Sequence, residues 1–526
     1  MARIQVNDLT FSYESSFDPI FEHVSFTIDT SWKLGFIGRN GKGKTTFLNL
    51  LLGKYEYSGT IRCDVPCDYF PYKTSPQDGE KTADELMEDW KPGVESWRVM
   101  CELSELQVDE ELLYRPFRTL SFGEKTKVML AVLFAGENDF LLIDEPTNHL
   151  DKEARDIVKT YLAGKKGFIL VSHDRDLLDA CVDHVLVLQR STIEVQSGNF
   201  SSWWENKERA DAFARAENEK HMKEIGRLKG AMQQSQGWAT KGENTKIGFD
   251  PIKEHDRTKN ARTYISSKTK KMEARVKVFE QRMEKNIEEK EGLLQDVEQI
   301  RDLRLSPLTH FRDRLVETRE LSLRYPDAEA PVFSGLTFEI RNGERVFLQG
   351  RNGCGKTSLI KAILEAAGYD GAVPKNNSTT QGGEIGAANP GADFLIDGRL
   401  EVAPHLQISY INQDTSYLHG DLRMHAFEHG VDYSLFLAVL RQLALEQAQF
   451  DKNIEEFSEG QKKKVLIATS LLTPAHLYIW DEPLNYVDVF SRMQLEKLIE
   501  EYAPTMLVVE HDVRFREKMA TKVVDM

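Results

Sequence analysis

The sequence predicts an α/β protein with two nucleotide-binding domains in tandem, joined by a long antiparallel two-helix linker. A glycine-rich phosphate-binding motif occurs twice, at 38–45 and 350–357, and a similar series of motifs follows each copy. Between the copies, the charged stretch 204–304 has apolar residues three or four apart, which is typical of long amphipathic helices. The domain boundaries that we predict are 1–202, 203–308 and 309–526.

Length and composition favour a soluble protein of several domains. The chain has 526 residues, of which 40% are hydrophobic and 29% charged. No apolar run reaches the roughly 18 residues that span a membrane, and the opening MARIQVNDLTFSY lacks the apolar core of a signal peptide. We therefore expect a cytoplasmic protein with no membrane domain of its own. Because Cys63 and Cys67 have no second pair at zinc-binding spacing, we expect reduced structural thiols.

The first copy contains a strand, a phosphate-binding loop and a helix in succession. An apolar run ends at Ile37, and Gly38 to Thr45 then matches G-x-x-x-x-G-K-[ST]. In such a loop the glycines let backbone N–H groups surround the phosphates, the lysine reaches the β- and γ-phosphates, and the hydroxyl ligates Mg²⁺. The candidate nucleotide-binding residues here are Gly38, Asn40, Gly41, Gly43, Lys44, Thr45 and Thr46.

Later motifs in this copy add groups suited to ATP hydrolysis. A second apolar run, 140–143, ends at Asp144 and Glu145. Asp144 is expected to hold Mg²⁺ through water, and Glu145 to orient and polarise the attacking water. The strand FILVSHD then ends at His173, a candidate sensor of the γ-phosphate.

The second copy repeats this chemistry at matching distances. The glutamate follows the serine of the LSFGE or FSEGQ motif by 24 residues in both copies, from Ser121 to Glu145 and from Ser458 to Glu482. The segment between the phosphate-binding lysine and this serine is 25 residues longer in the second copy. We place the extra length at 368–398, which is rich in Gly, Asn and Pro, and interpret it as a flexible surface insertion rather than a functional arm. The candidate residues of the second site are Gly350, Asn352, Gly353, Gly355, Lys356, Thr357, Ser358, Gln413, Asp481, Glu482 and His511.

Taken together, these motifs resemble those of the ATP-binding cassette family. LSFGE is similar to its signature, IDEP to its Walker B segment and Leu150-Asp151 to its D-loop, while Tyr13 and Tyr325 match the aromatic residue that stacks on adenine. The resemblance implies a head-to-tail sandwich with two composite ATPase sites that use ATP and Mg²⁺. The groups that would meet are Lys44 and Glu145 with Ser458 and Gly460, and Lys356 and Glu482 with Ser121 and Gly123.

The two sites depart from each other in sequence. The family usually has a glutamine after the strand that follows the phosphate-binding helix, and Gln413 fills this position in the second copy as an expected Mg²⁺ ligand. Tyr72 stands there in the first copy, so metal coordination from that loop is in doubt. The D-loops also differ, PTNHLD against PLNYVD, which suggests unequal turnover at the two sites.

The linker has a basic centre in an acidic chain. From Lys220 to Arg282 there are 16 Lys/Arg and 7 Asp/Glu, a net of +9, whereas the whole chain carries −16. We predict helices over 204–236 and 265–303 with a tip at 237–264 that contacts RNA, because basic residues among aromatic ones suit phosphate contact and base stacking. A solvated coiled coil is the alternative. The candidate RNA-binding tip residues are Trp238, Lys241, Lys246, Phe249, Lys253 and Arg257.

Duplicated cassettes with a two-helix linker are similar to the F subfamily, and the short first cassette and long linker resemble the Lsa-type antibiotic-resistance proteins. The resemblance implies binding to the E site of the bacterial 70S ribosome, contact with large-subunit rRNA and P-site tRNA, and displacement of lincosamides, streptogramin A and pleuromutilins. A housekeeping translation factor of the subfamily is the alternative. A transporter ATPase gives no reason for the basic linker, and chromosome-type ATPases carry their coiled coil within one cassette. We expect no stable homo-oligomer.

Overall fold

The computed structural model describes most of the two copies and one helix of the linker. The chain divides into two units: Met1–Trp203 with Arg301–Met526, and Trp204–Ile300. The residues that the structure describes are 2–13, 19–136, 139–148, 150–189, 191–247, 277–279, 282–283, 305–326, 328–369, 384–385, 394–443, 445 and 447–526.

In the first copy, a small antiparallel sheet accompanies a larger, mainly parallel one. The small sheet has the strand order β2-β1-β4, and the large one β5-β6-β7-β3-β8-β9. The elements are β1 Arg3–Phe11, β2 Phe21–Asp29, β3 Lys33–Ile37, α1 Lys44–Leu51, β4 Ser58–Cys63, β5 Cys67–Phe70, α2 Ala83–Trp90, α3 Ser96–Glu105, α4 Phe122–Phe134, β6 Phe140–Asp144, α5 Lys152–Gly164, β7 Phe168–Val171, α6 Arg175–Cys181, β8 His184–Gln189 and β9 Thr192–Ser197.

The parallel order of this sheet positions the first site. Strands β6 and β7 are apolar along nearly their whole length because both faces of a parallel sheet are covered. Their carboxyl ends lie at one edge together with that of β3. The loops after these three strands therefore bring the phosphate-binding loop, Glu145 and His173 to the same edge.

The second copy has the same two-sheet design. Its small sheet has the order β11-β10-β14-β13 and its large sheet β15-β16-β17-β12-β18. The elements are β10 Arg314–Arg324, β11 Phe333–Arg341, β12 Arg345–Gln349, α8 Lys356–Ala366, β13 Glu384–Ile385, β14 Leu395–Val402, β15 Ile408–Ile411, α9 Leu422–Glu428, α10 Tyr433–Gln442, α11 Glu459–Leu472, β16 Leu477–Asp481, α12 Val489–Tyr502, β17 Met506–Val509, α13 Val513–Met519 and β18 Lys522–Asp525. The α/β class is confirmed.

The boundaries that we predicted for the insertion need correction. Residues 394–398 belong to the folded copy, since β14 begins at Leu395 and pairs with β10. The pair Glu384–Ile385 also bonds to β14 as a short strand. Alternating apolar residues in LIDGRLEV favour a half-buried strand, which outweighs the turn tendency of Gly398. The rest of the predicted insertion, 370–383 and 386–393, lies outside the described residues.

The described linker helix, α7, runs from Phe200 to Ile247. It is longer than the predicted 204–236, so the predicted tip begins too early. Gly237 and Gly242 do not end the helix, because an internal glycine costs only about 1 kcal/mol and the next proline is Pro251. Trp238, Lys241 and Lys246 therefore lie on α7, whereas Phe249, Lys253 and Arg257 lie outside the described residues, as does most of the predicted second helix.

Two further expectations concern membranes and cysteines. Within the part of the chain that the structure describes, no helix is both long and apolar enough to cross a membrane. All five cysteines are free thiols, and the sulfur atoms of Cys63 and Cys67 are 3.7 Å apart.

Candidate nucleotide-binding and hydrolysis sites

The first phosphate-binding loop curls around the amine of its own lysine. Gly41 and Gly43 have φ of 79° and 108°, a left-handed conformation that favours glycine. A Cβ atom at Gly43 would lie 2.5 Å from Ile20. Nζ of Lys44 donates to the carbonyl of Gly38 at 2.7 Å and to Oδ1 of Asn40 at 3.1 Å. The lysine is thus held where the loop would receive phosphate, at the start of α1.

The second loop repeats this geometry around Lys356. Gly353 and Gly355 have φ of 82° and 103°. Nζ of Lys356 donates to the carbonyls of Gly350 and Arg351 at 2.8 and 3.0 Å. Both loops are therefore built alike for binding a polyphosphate.

Each loop is joined to its acidic strand end by a hydroxyl–carboxylate pair. Oγ1 of Thr45 donates to Oδ2 of Asp144 at 3.0 Å, and Oγ1 of Thr357 donates to Oδ2 of Asp481 at 2.9 Å. Oδ1 of Asp481 is buried and has no hydrogen-bond partner among the described residues. Burial raises the pKa of Asp481 to about 6. Hydroxyl and carboxylate oxygens beside a phosphate loop are donors of the kind that Mg²⁺ prefers, so these residues would suit the ion.

The two glutamates are held in an unusual backbone conformation beside the histidines. Glu145 and Glu482 have φ of 52° and 49°, which is uncommon for residues other than glycine. Nε2 of His173 lies 3.3 Å from Oε1 of Glu145, and Nε2 of His511 lies 3.6 Å from Oε1 of Glu482. Each strand end therefore presents a carboxylate with an imidazole next to it.

In the first site this contact is not an ion pair between charged groups. Burial, and next the charge of Asp144, raise the pKa of Glu145 to about 8. Burial, and next Lys44, hold the pKa of His173 well below its usual value. The imidazole is therefore neutral near pH 7, and Oε1 of Glu145 makes no hydrogen bond within the described part of the chain. This oxygen atom can accept a hydrogen bond from a water molecule or from a protonated phosphate oxygen.

The loop after β5 or β15 differs between the copies. Nε2 of Gln413 donates to Oε2 of Glu482 at 3.0 Å, so the structure places this amide on the glutamate rather than on Thr357 or Asp481. In the first copy, Tyr72 points elsewhere. Its hydroxyl donates to Asp68 at 2.8 Å and its ring stacks on Trp90. This tyrosine does not replace the glutamine.

The candidate adenine-stacking residues lie next to their phosphate helices. The hydroxyl of Tyr13 is 2.9 Å from Oγ1 of Thr46, and that of Tyr325 is 2.8 Å from Oγ of Ser358. The exposed fractions are 36% for Tyr13 and 41% for Tyr325. Each ring is thus held at its hydroxyl and partly exposed to solvent.

The signature serines begin helices. Ser121 caps α4 and Ser458 caps α11, each in a capping box with the residue three positions later. Gly460 approaches the second D-loop so closely that a Cβ atom there would lie 2.7 Å from the carbonyl oxygen of Tyr486. Gly123 has more room, with Leu150 at 3.6 Å from the same ideal position.

Contacts between the copies assemble the first site. Nδ2 of Asn40 donates to the backbone carbonyl of Tyr486 at 2.5 Å, which joins the first phosphate loop to the second D-loop. The same carbonyl lies against Gly460. Burial lowers the pKa of Lys44, and the nearby carboxylate of Asp488 from the second D-loop opposes this effect. The first phosphate-binding loop therefore lies against the second D-loop, and the pairing of Lys44 and Glu145 with Ser458 and Gly460 stays a prediction.

A cleft between the copies borders the second site. It has a volume of about 550 Å³ and is lined by Asp151 and Lys152 of the first copy and by Gly350 and His511 of the second. One exposed ion pair crosses it, between Arg351 and Glu153 at 2.9 Å.

Sequence reasoning missed several residues of these sites. Nδ2 of Asn485 donates to Glu482 at 2.7 Å, and Arg492 donates to the D-loop carbonyls of Leu484 and Val487 and to Asp512. Asn485 stands three residues after the glutamate, as Asn148 does in the first copy, and that repeat is a usable signal. The partners of Arg492 depend on tertiary packing and have no signal in the sequence.

The raised pKa of Glu145 leads to a prediction about stability. Between about pH 4.5 and pH 8 the folded chain binds a proton at Glu145 that the unfolded chain has released, so its stability falls as pH rises. Glu145→Gln removes this titration. We expect its gain in melting temperature to grow from about pH 5 to pH 8 and then to level off, as measured by calorimetry. Glu110→Gln, at an exposed site, controls for the substitution itself. A gain that is flat or shrinks with rising pH contradicts the prediction.

Comparison with known proteins agrees with this architecture. The ABC transporter family matches the chain twice, over residues 21–148 and 333–485. The fold and the paired sites define an ATPase with two ATP-binding cassettes in tandem. The chain belongs to the ABC transporter family, and its tandem arrangement is of the ABC-F type. The expected ATPase activity and subfamily are thus confirmed.

Two relatives carry resistance or protection in their names. The chain is 28% identical over 517 residues to the ribosome protection protein VmlR of Bacillus subtilis (strain 168), covering 96% of this chain and 84% of VmlR. It is 25% identical over 511 residues to the erythromycin resistance ATP-binding protein MsrA of Staphylococcus epidermidis, covering 93% and 91%.

Solved structures support the fold. The RNase-L inhibitor aligns with a TM-score of 0.58 at 18% identity, over 99% of this chain and 87% of that chain. The complex of the archaeal ribosomal stalk protein aP1 and the archaeal ribosome recycling factor aABCE1 aligns with a TM-score of 0.57 at 18% identity, over 98% and 87%. At these identities the likeness concerns the fold alone.

Proposed function

We propose that this chain is an ATP-dependent ribosome protection protein. It binds the bacterial 70S ribosome at the E site, beside the P-site tRNA, and its linker displaces lincosamides, streptogramin A and pleuromutilins from the peptidyl-transferase centre. The observation that carries the proposal is the similarity to VmlR over 96% of this chain, which takes in the segment between the cassettes as well as the cassettes. As a ribosome-directed protein it acts in the cytoplasm.

The two sites supply the ATP-dependent step. Lys44 and Lys356 contact the phosphates, and Glu145 and Glu482 orient the attacking water with the neighbouring histidine at the γ-phosphate. Thr45 with Asp144, and Thr357 with Asp481, would hold Mg²⁺, which neutralises phosphate charge when bound. Asn40 of one copy contacts Tyr486 of the other, so a nucleotide in the first site would lie close to both copies. ATP thus holds the copies together, and hydrolysis releases them.

The linker supplies the contact with the ribosome. Its net charge of +9 between Lys220 and Arg282, in a chain of net −16, suits binding to RNA phosphates. The first part of this basic segment lies on α7, a 48-residue helix. At about 1.5 Å per residue, a helix of this length reaches roughly 70 Å. The proposal assigns residues 1–202 to the first cassette, 203–308 to the linker and 309–526 to the second cassette.

Drug tolerance tests the proposed function. Expression in a drug-sensitive bacterium is expected to raise the minimum inhibitory concentrations of a lincosamide and a pleuromutilin several-fold. The variant Lys44→Ala with Lys356→Ala, at equal protein level, is the control and should give no rise. No rise with the unmodified chain, despite stable expression, contradicts ribosome protection and favours a housekeeping translation factor.

A further inference from the structure

We propose that Tyr69, on strand β5, positions the carboxylate of Asp144 at the first ATP site. In the second copy, the loop after strand β15 contacts the acidic residues of its site through Gln413, which donates to Glu482. The proposal rests on ATP binding at the first site and does not depend on the ribosome.

The first observation is a shared acceptor. The hydroxyl of Tyr69 donates to Oδ2 of Asp144 at 3.1 Å, and Oγ1 of Thr45 donates to the same oxygen at 3.0 Å. Two donors from different elements, β5 and α1, thus fix one carboxylate oxygen. Oδ1 of Asp144 then stays available to accept from a metal-bound water.

The second observation is that Tyr410, the tyrosine at the equivalent position in the second copy, has a different hydrogen-bond partner. Tyr69 pairs with Leu142 and Tyr410 pairs with Ile479, in each case two residues before the aspartate of the neighbouring strand. The two tyrosines therefore occupy the same place in their sheets. The hydroxyl of Tyr410 nevertheless donates to Oδ1 of Asn412, at 3.2 Å, and not to Asp481.

The residue two positions after each tyrosine explains the difference. Asn412 offers a side-chain acceptor, whereas its counterpart, Pro71, has no polar side-chain atom. With no such local acceptor, the phenol of Tyr69 reaches across to Asp144. Tyr72, which stands in the glutamine position, is already engaged by Asp68 and Trp90. Tyr69 thus makes the contact that Tyr72 cannot make.

Tyr69 is a hydrogen-bond donor near neutral pH, because the phenol of tyrosine ordinarily loses its proton only near about pH 10. It therefore donates to Asp144, as a partner behind a metal-binding carboxylate does. Loss of such partners typically weakens metal affinity by about 10- to 100-fold.

Metal affinity, rather than turnover, tests this role. The variants of the first site carry Lys356→Ala, which weakens nucleotide binding at the second site. Mn²⁺ is titrated by electron paramagnetic resonance with a non-hydrolysable ATP analogue present. Tyr69→Phe is expected to raise the Kd for Mn²⁺ about tenfold, in the range given by other metal sites. Pro71→Asn, which gives Tyr69 the acceptor that Tyr410 has, should raise it in the same direction.

Tyr410→Phe in the mirrored background, Lys44→Ala, is the matched control and should leave the Kd for Mn²⁺ at the second site within about twofold, since the hydroxyl of Tyr410 donates to Asn412 and not to Asp481. A Kd for Tyr69→Phe equal to that of the parent, or an equal rise with Tyr410→Phe, overturns the proposal. Affinity for the analogue without metal is measured in parallel. If the parent itself fails to bind the analogue, the first ATP site is refuted, and the role of Tyr69 with it.

Discussion

Glu145→Gln together with Glu482→Gln is expected to slow ATP hydrolysis by about 10²–10⁴-fold, the usual contribution of a general base, while ATP still binds. Both glutamates end a parallel strand, in a left-handed conformation and within 3.6 Å of a histidine nitrogen. Gln keeps the size of the side chain but cannot accept a proton from water, as the ionised form of glutamate can. Phosphate release and equilibrium ATP binding are the two measurements.

The matched control replaces exposed glutamates, one in each copy, by glutamine. Glu110→Gln with Glu501→Gln makes the same change in charge at sites away from the acidic strand ends. We expect its rate to equal that of the unmodified chain. A double variant at Glu145 and Glu482 that hydrolyses ATP at an unchanged rate would contradict the assignment of both residues.

Glu496→Leu is expected to destabilise the protein by about 3–5 kcal/mol, because it removes the ion-pair partner of the buried Arg175 guanidinium. Arg175 of the first copy pairs with Glu496 of the second, and their side chains are only 7% and 3% exposed. Without the carboxylate, the guanidinium would be buried between the copies with no partner of opposite charge from α12. The melting temperature of the nucleotide-free protein should fall accordingly.

Two comparisons make this prediction specific. Arg175→Met with Glu496→Leu removes both charges and should recover most of the lost stability. Arg351→Met breaks a second ion pair between the copies, with Glu153, whose side chains are 79% and 62% exposed, so it should cost little. Equal losses of stability for Glu496→Leu and Arg351→Met would contradict the prediction, because burial of the pair Arg175–Glu496 would then not affect its contribution to stability.

The catalytic elements could be predicted because their chemistry lies in short, contiguous motifs. Gly38 to Thr45 specifies a loop and the start of a helix by local rules, and the apolar run before Asp144 specifies a buried strand. The equal spacing of the second copy then extended the prediction to Glu482. In each case the information lies within a few residues of the site.

The contacts of single side chains could not be predicted in this way. Tyr69 and Tyr410 occupy the same strand position but choose different partners, because the residue two places further on differs. Arg175 and Glu496 are 321 positions apart in the sequence, and their pairing exists only when the two copies meet. Gly237 and Gly242 favour an end of α7 near residue 236, but the helix continues to Ile247 because no proline interrupts it.

Ribosome co-sedimentation of the Glu145→Gln, Glu482→Gln variant tests the central claim most directly. If ATP holds the copies together and hydrolysis releases the protein, this variant should pellet with 70S ribosomes when ATP is present and remain in the supernatant with ADP. Deletion of residues 237–264, which comprise the end of α7 and the segment that follows it, should weaken this association. Equal amounts in the pellet with ATP and with ADP, or none with either, would contradict an ATP-dependent action on the ribosome.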